Sequence, residues 1–239
     1  MPLEAIFFDL DDTLWDFKGS SEISLDTVFS RYLSERGVDR EEWLCCYEAA
    51  NHALWTAYQA GTHTAAEVKE LRFGRSFSSV GVCMSAQAIR EVSTYYLSEI
   101  VRNTVLYPGV QVALSVLSRR FKLGIISNGM AVSRERLDSH GIGQYFGHII
   151  TAANAGAPKP SAEIFTYALA AAGVSPCRAA YVGDDYNSDV LGSKRAGMVS
   201  VWYNPSGKTR RSEIAPDYEI KSFRDLEELF VNLRLLSEA

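Results

Sequence analysis

The sequence predicts an α/β fold: a doubly wound parallel sheet interrupted by an inserted α-helical domain. Two observations predict it. Five short runs, Ala5–Phe8, Lys122–Ile126, His148–Thr151, Ala179–Val182 and Val199–Tyr203, are mostly apolar rather than alternating. Such runs belong to strands of a parallel sheet covered on both faces. Helical-length stretches separate one run from the next, the rhythm of βα units. The gap between the first and second runs breaks that rhythm. It holds four helix signatures in a row with no strand-like run among them, so it reads as an insert.

Taken in order, the first run stops abruptly at Asp9-Leu10-Asp11-Asp12-Thr13. The insert opens with Leu25, Val28, Phe29, Tyr32 and Leu33 at helical spacing, and Gly37 supplies a stop. Asp39 with Glu42 forms a candidate capping box for a helix running to Gly61. Thr64 with Glu67 repeats that signature, and Ser85 can cap a fourth helix. The expected division is a core of residues 1–14 and 104–239 and a four-helix domain of residues 15–103.

Composition removes several functional classes. With 47% apolar and 22% charged residues the chain is neither disordered nor fibrous. A net charge of −5 argues against a nucleic-acid polymer or an anionic membrane as partner. The start Met1-Pro2-Leu3-Glu4 has no basic n-region, and Cys45, Cys46, Cys83 and Cys177 lack CxxC spacing. The expectation is a cytoplasmic protein, a monomer or weak homodimer, with Cys45 and Cys46 at buried helix positions. Gly207-Lys208-Thr209 resembles the end of a P-loop, but Trp202 stands where the leading glycine belongs. Gly141-x-Gly143 meets Phe146 in place of a third glycine. His52, His63, His140 and His148 show neither paired spacing nor a nearby cysteine, which disfavours zinc.

The chemistry gathers just past the strand ends. Asp9, Asp11 and Asp12 follow the first run, and Ser127-Asn128-Gly129 follow the second. Pro158-Lys159-Pro160 comes after the third, and Gly183-Asp184-Asp185 with Asp189 after the fourth. Open α/β sheets bind ligands at the carboxyl ends of their strands. Asp9 and Asp11, two apart on extended chain, can point to one side. Adding Asp184 crowds carboxylates into one crevice, which calls for a dication, and a set of hard oxygen donors suits Mg2+. The Ser127 hydroxyl and the Asn128 and Gly129 N–H groups can cradle an anion at a helix N-terminus, while Lys159 adds positive charge. The set suggests phosphoryl transfer through a covalent carboxyl-phosphate, one carboxylate attacking and another moving the proton. Asp185 reads equally as a group near the metal ligands or as a turn residue.

Phe7-Phe8-Asp9-Leu10-Asp11-Asp12-Thr13-Leu14, Ser127-Asn128-Gly129, the proline-flanked Lys159 and Gly183-Asp184-Asp185-x-x-x-Asp189 resemble the four motifs of the haloacid dehalogenase superfamily. The helical insert resembles its C1 cap, and the resemblance spans essentially the whole chain. It implies a Rossmann-like core with Asp9 as nucleophile and Asp11 as general acid/base. Ser127 and Lys159 would bind phosphate, and Asp184 would ligate Mg2+ with Asp9 and the Asp11 carbonyl. Asp189 would orient Lys159 or metal-bound water. The second motif-one aspartate, absent from the dehalogenase members, favours a phosphatase.

The insert narrows the resemblance. Asn51-His52-Ala53-Leu54-Trp55-x-x-Tyr58-Gln59-x-Gly61 and Leu71-Arg72-Phe73, with Trp15-Asp16-Phe17, look like the bacterial house-cleaning pyrimidine and noncanonical 5′-nucleotidases. The chain departs from that subfamily at Asn154-Ala155-Gly156-Ala157 and at Asp185. Trp43, Tyr47, Leu54 and Tyr58 fall near one helical face and read as core. Trp55 and Gln59 lie elsewhere on the surface and are candidates for substrate contact, and Arg72 and Arg75 read as solvated. The expected activity is a Mg2+-dependent phosphomonoesterase on nucleoside 5′-monophosphates. Rivals are a sugar- or acylated-sugar-phosphate phosphatase, a phosphomutase and a non-catalytic phosphate-ligand binding protein.

Overall fold

The computed structural model describes residues 2–210 and 212–237. The chain falls into two compact units, Met1–Asp16 with Leu106–Ala239, and Phe17–Val105.

The first unit is built on six parallel strands, β1 (Ala5–Phe8), β2 (Lys122–Ser127), β3 (Phe146–Thr151), β4 (Ala179–Gly183), β5 (Val199–Tyr203) and β6 (Tyr218–Ile220), in the order β3-β2-β1-β4-β5-β6. All five strands expected from apolar runs are present. The sixth has three residues, one of them buried, and is too short to leave a period in the sequence. β3, expected to be covered on both faces, is half-buried at His148 and Ile149 because it forms the sheet edge.

Register decides where the site falls. Phe8 pairs with Ile125 of β2 on one side and with Val182 of β4 on the other. The strand order reverses at β1, where β2 and β4 leave in opposite directions, and a crevice opens at the carboxyl ends of such a switch point. Asp9 continues β1 into it, its N–H donating to the Val182 carbonyl at 2.8 Å.

The second unit holds α1 (Phe17–Tyr32), α2 (Arg40–Gln59), α3 (Ala65–Ser79) and α4 (Ala86–Asn103). Their starts follow the capping chemistry. The Asp39 side chain accepts from the Glu42 N–H, Thr64 and Glu67 form a full capping box, and the Ser85 side chain accepts from the Ala88 N–H. Trp43, Tyr47, Phe73, Phe77 and Tyr96 close the aromatic centre of this unit, and Leu54 and Tyr58 on α2 are buried as expected.

Two expectations for this unit are corrected. Cys45 is exposed and Cys46 half-buried, because α2 turns the Trp43–Tyr47 stripe inward and places Cys45 half a turn away from it. Arg72, expected to be solvated, is 3% exposed. Its guanidinium lies 4.7 Å from the Tyr96 ring centre, and its stem is drawn in by its place on the α3 face that carries Val68, Phe73 and Phe77. Arg75 is exposed, as expected.

The first unit adds α5 (Val110–Leu117), α6 (Arg134–Ser139), α7 (Ala152–Ala155), α8 (Ala162–Ala172), α9 (Gly192–Arg195) and α10 (Phe223–Ser237). A single π-helical turn spans Tyr186–Leu191. No helix among the described residues is long and apolar enough to cross a membrane.

Candidate active site

Lys159 is the centre of the strand-end cluster. Its ammonium donates to Asp9 Oδ1 at 2.5 Å, Asp189 Oδ1 at 2.8 Å and the Tyr181 hydroxyl at 2.9 Å, three partners that use all three of its N–H bonds. The site is buried: Lys159 is 2% exposed and Asp9 7%. Three loops from three strand ends are joined through one nitrogen. A buried lysine is stable only when paired in this way.

The backbone of Lys159 is fixed as firmly as its head. The Asn128 side chain accepts from the Lys159 N–H at 2.8 Å, and its amide donates to the Lys159 carbonyl at 3.0 Å. The Asn128 side chain therefore serves Lys159, and one part of the expectation for Asn128-Gly129 is corrected, its place at a helix N-terminus. The next helix, α6, starts only at Arg134, so those N–H groups are not at a helix N-terminus. The Gly129 N–H donates to Ser127 Oγ at 2.9 Å. Asn128 is a clamp for Lys159, and Ser127 is brought to the same edge, 1% exposed.

Asp9, Asp184 and Asp189 each offer a carboxylate oxygen within 4.8 Å of the others. Burial holds the Asp9 carboxyl well above the usual range, against the pull of the Lys159 charge. Burial, with Asp189 adding repulsion, pushes Asp184 up to about 7, and the Lys208 ammonium at 3.2 Å only partly offsets it. Burial pushes the Lys159 ammonium down, but the carboxylates of Asp189 and Asp9 outweigh it and hold the group charged. Carboxylates crowded beyond the cations available are the electrostatic signature of a divalent-cation seat.

The members of this cluster differ in how free they are. Asp189 Oδ1 is held by Lys159, and its Oδ2 accepts from the Asp185 N–H at 3.0 Å. Asp189 is thereby the counter-charge that sets Lys159. Gly183 makes room for it: a Cβ there would stand 2.4 Å from Asp189 Oδ2. Asp185 caps the π-helical turn, its Oδ1 accepting from the Ser188 N–H at 2.7 Å and the Ser188 hydroxyl at 2.9 Å. That is turn chemistry. Asp11 lies apart from this ion-pair network, its Oδ1 accepting from the Trp15 indole N–H at 2.7 Å. Trp55 and Gln59 lie on α2 in the helical unit, Trp55 half-buried and edge-on to Tyr58 at 5.4 Å, Gln59 exposed.

Three residues of the site escape sequence reasoning. Tyr181 is a mid-strand aromatic whose hydroxyl accepts from Lys159 and donates to the Ile126 carbonyl at 3.0 Å. In sequence it reads as core, and only the register turns its oxygen toward Lys159. Lys208, which in sequence belongs to a failed P-loop, pairs with Asp184. Its N–H donates to the Asn204 side chain, whose amide donates back to its carbonyl, the same clamp that Asn128 makes on Lys159. Trp15 signals itself in sequence only as part of a resemblance.

Comparison with known proteins accords with this geometry. The haloacid dehalogenase-like hydrolase family matches residues 3–197. The chain belongs to that family. Among haloacid dehalogenase-like hydrolases, it is 32% identical to the pyrimidine 5′-nucleotidase YjjG of Escherichia coli (strain K12), over 96% of this chain and 98% of that one. It is 28% identical to the pyrimidine 5′-nucleotidase PynA of Streptococcus pneumoniae, over 92% of each. A crystal structure of the HAD-hydrolase YfnB from Bacillus subtilis bound to magnesium superposes with a TM-score of 0.84 at 26% identity, covering 97% of this chain and 100% of that one.

Proposed function

We propose that this haloacid dehalogenase-like hydrolase is a Mg2+-dependent phosphomonoesterase that works through a phosphorylated Asp9 and acts on nucleoside 5′-monophosphates. The observation that carries the reading is the pairing of Lys159 with Asp9 at a switch-point crevice, beside two further carboxylates that no lysine fully neutralises. A nucleophile needs its lone pair aimed and its approach to a phosphate dianion neutralised, and one ammonium does both.

The residues fit a divalent cation. The donors are hard carboxylate oxygens, buried and mutually repulsive, as a Mg2+ seat requires. Asp9, Asp184 and the Asp11 carbonyl are the proposed ligands, since both oxygens of Asp189 are held at 3.0 Å or less while those of Asp184 have only the longer contacts, the Thr13 hydroxyl at 3.4 Å and the Lys208 ammonium at 3.2 Å. When bound, the ion supplies positive charge to the phosphoryl oxygens.

In the first step an Asp9 oxygen forms a bond to phosphorus. The bond from phosphorus to the ester oxygen breaks, its electron pair stays on that oxygen, and Asp11 hands over its proton to give the free alcohol. In the second step Asp11, now a carboxylate, takes a proton from water as the water oxygen bonds to phosphorus. Asp9 leaves as a carboxylate with inorganic phosphate released. Lys159 and the Ser127 hydroxyl hold the phosphoryl oxygens through both steps. The relatives named as pyrimidine 5′-nucleotidases support the substrate class, and Trp55 and Gln59 are the proposed contacts to the leaving group.

Phosphate release with Mg2+ across nucleoside 5′-monophosphates and sugar phosphates tests the reading. Fast release from dUMP- or dTMP-like substrates is expected. Release from sugar phosphates alone would keep the chemistry and remove the nucleotide. Release from none would remove the phosphatase reading.

The carboxyl shifts give a second prediction. Asp184 stays protonated up to about 7 in the folded chain, against about 4 when unfolded. The folded state therefore binds more protons across that window, and the metal-free protein loses stability as pH rises through it. A bound dication offsets that loss only where the carboxyls are ionised. Added MgCl2 is expected to raise the melting temperature more at about pH 8 than at about pH 5.5. An equal or larger gain at the lower pH would count against the seat.

A further inference from the structure

The loop after β1 folds back on itself. The Asp12 N–H donates to the Trp15 carbonyl at 3.0 Å, the Leu14 N–H to the Leu10 carbonyl at 2.9 Å, and Asp12 adopts a left-handed backbone with φ 60°. That conformation is costly for a residue with a Cβ and persists only where surrounding bonds enforce it. Its result is to bring the Trp15 side chain back over Asp11, four residues earlier.

Trp15 is held rigidly there. It is fully buried, and its backbone bridges to Leu106. From α6, the Arg136 guanidinium carbon lies 3.9 Å from the centre of the indole, and the ring of His140, the residue just past that helix, packs at 5.6 Å. Arg136 is itself anchored by donating to the Ala131 carbonyl at 3.0 Å. The indole N–H therefore has one orientation, and it is spent on Asp11 Oδ1 at 2.7 Å.

An indole nitrogen only donates. In a protonated carboxyl the carbonyl oxygen is the stronger acceptor, so the indole N–H favours Oδ1 as the carbonyl oxygen and the proton on the other oxygen. That oxygen, Oδ2, lies against the second strand end, 2.6 Å from where a Gly129 Cβ would stand. Resting on the phosphatase reading above, we propose that Trp15 is a positioning residue for the general acid. Its N–H fixes the Asp11 rotamer and assigns the transferable proton to Oδ2, on the side where Ser127 and Gly129 sit. A role of this kind matters in proportion to how much the leaving oxygen needs a proton.

The test is kcat/KM on p-nitrophenyl phosphate, phenyl phosphate and the best alkyl phosphate of the substrate panel, for wild type, Trp15→Phe and Asp11→Asn. The value of kcat/KM reports the steps up to phosphorylation of Asp9 and so isolates leaving-group protonation. Trp15→Phe is expected to remain within about threefold of wild type on p-nitrophenyl phosphate, whose leaving phenol is acidic, and to lose about tenfold to a hundredfold on the alkyl ester. Asp11→Asn is expected to show the same trend with a steeper slope. Equal losses on all three esters would mean that Trp15 only supports the fold, and no loss on any would mean that its N–H is idle. Either result overturns the proposal. Where the smaller ring destabilises the loop, replacing Trp15 by 3-benzothienylalanine removes the N–H at nearly constant shape and must reproduce the slope. A wild type inactive on every ester would sink the phosphatase reading, and this proposal with it, an outcome distinct from an active wild type and a flat variant.

Discussion

Asp9→Asn is expected to lower phosphate release by about 10⁴-fold or more while leaving the protein folded. An amide oxygen can still accept from Lys159, but it is too poor a nucleophile to form the phosphorylated intermediate. The melting temperature of the metal-free variant should equal or exceed that of wild type, because burial holds the Asp9 carboxyl well above its usual range and the substitution removes that penalty. The two readouts separate chemistry from folding: rate collapses as stability holds. A variant within tenfold of wild type on every substrate would remove Asp9 as nucleophile, and with it the mechanism.

Lys159→Met should do the opposite, losing stability as well as rate. Methionine keeps the length of the stem but leaves Asp9 and Asp189 buried without their shared cation. Breaking a buried pair by removing one partner costs about 3–5 kcal/mol, which for a chain of this size lowers the melting temperature by about 10 °C. Activity should fall by about 10²–10³-fold, the usual loss when one donor to a developing charge is removed. Part of the lost melting temperature should return with MgCl2, while the rate should not. Unchanged stability in the metal-free variant would show that the two carboxylates do not need the ammonium, contrary to the geometry of the site.

Most of the fold is legible in the sequence, because burial on both faces leaves continuous apolar runs and helix starts leave capping residues. β1 to β5 and the four helices of the inserted unit are readable for that reason. β6 is not, since three residues at a sheet edge carry no period. The candidate site is legible in part. Carboxylates, a serine and a lysine placed just after strands point to one crevice by their positions along the chain alone. What each side chain does there is less visible. The backbone N–H groups of Asn128 and Gly129 read as standing at a helix N-terminus, and the structure starts the next helix only at Arg134, while the Asn128 side chain clamps the Lys159 backbone. Arg72 reads as solvated and is buried against Tyr96. Cys45 reads as buried and is exposed.

By itself, then, the sequence determined which residues reach the carboxyl edge of the sheet, because that follows from local patterning: where a strand stops, the next residue is at its end. Only the tertiary structure decided their partners. The order β3-β2-β1-β4-β5-β6 put β1 between β2 and β4, and that adjacency let one lysine nitrogen reach Asp9, Asp189 and Tyr181, residues up to 150 positions away along the chain. The same holds for Trp15, whose approach to Asp11 is local but whose orientation is fixed by Arg136 on α6 and by His140 just after it. Hydrogen bonds and ion pairs act over about 3 Å, a distance that depends on packing and has no counterpart in sequence spacing.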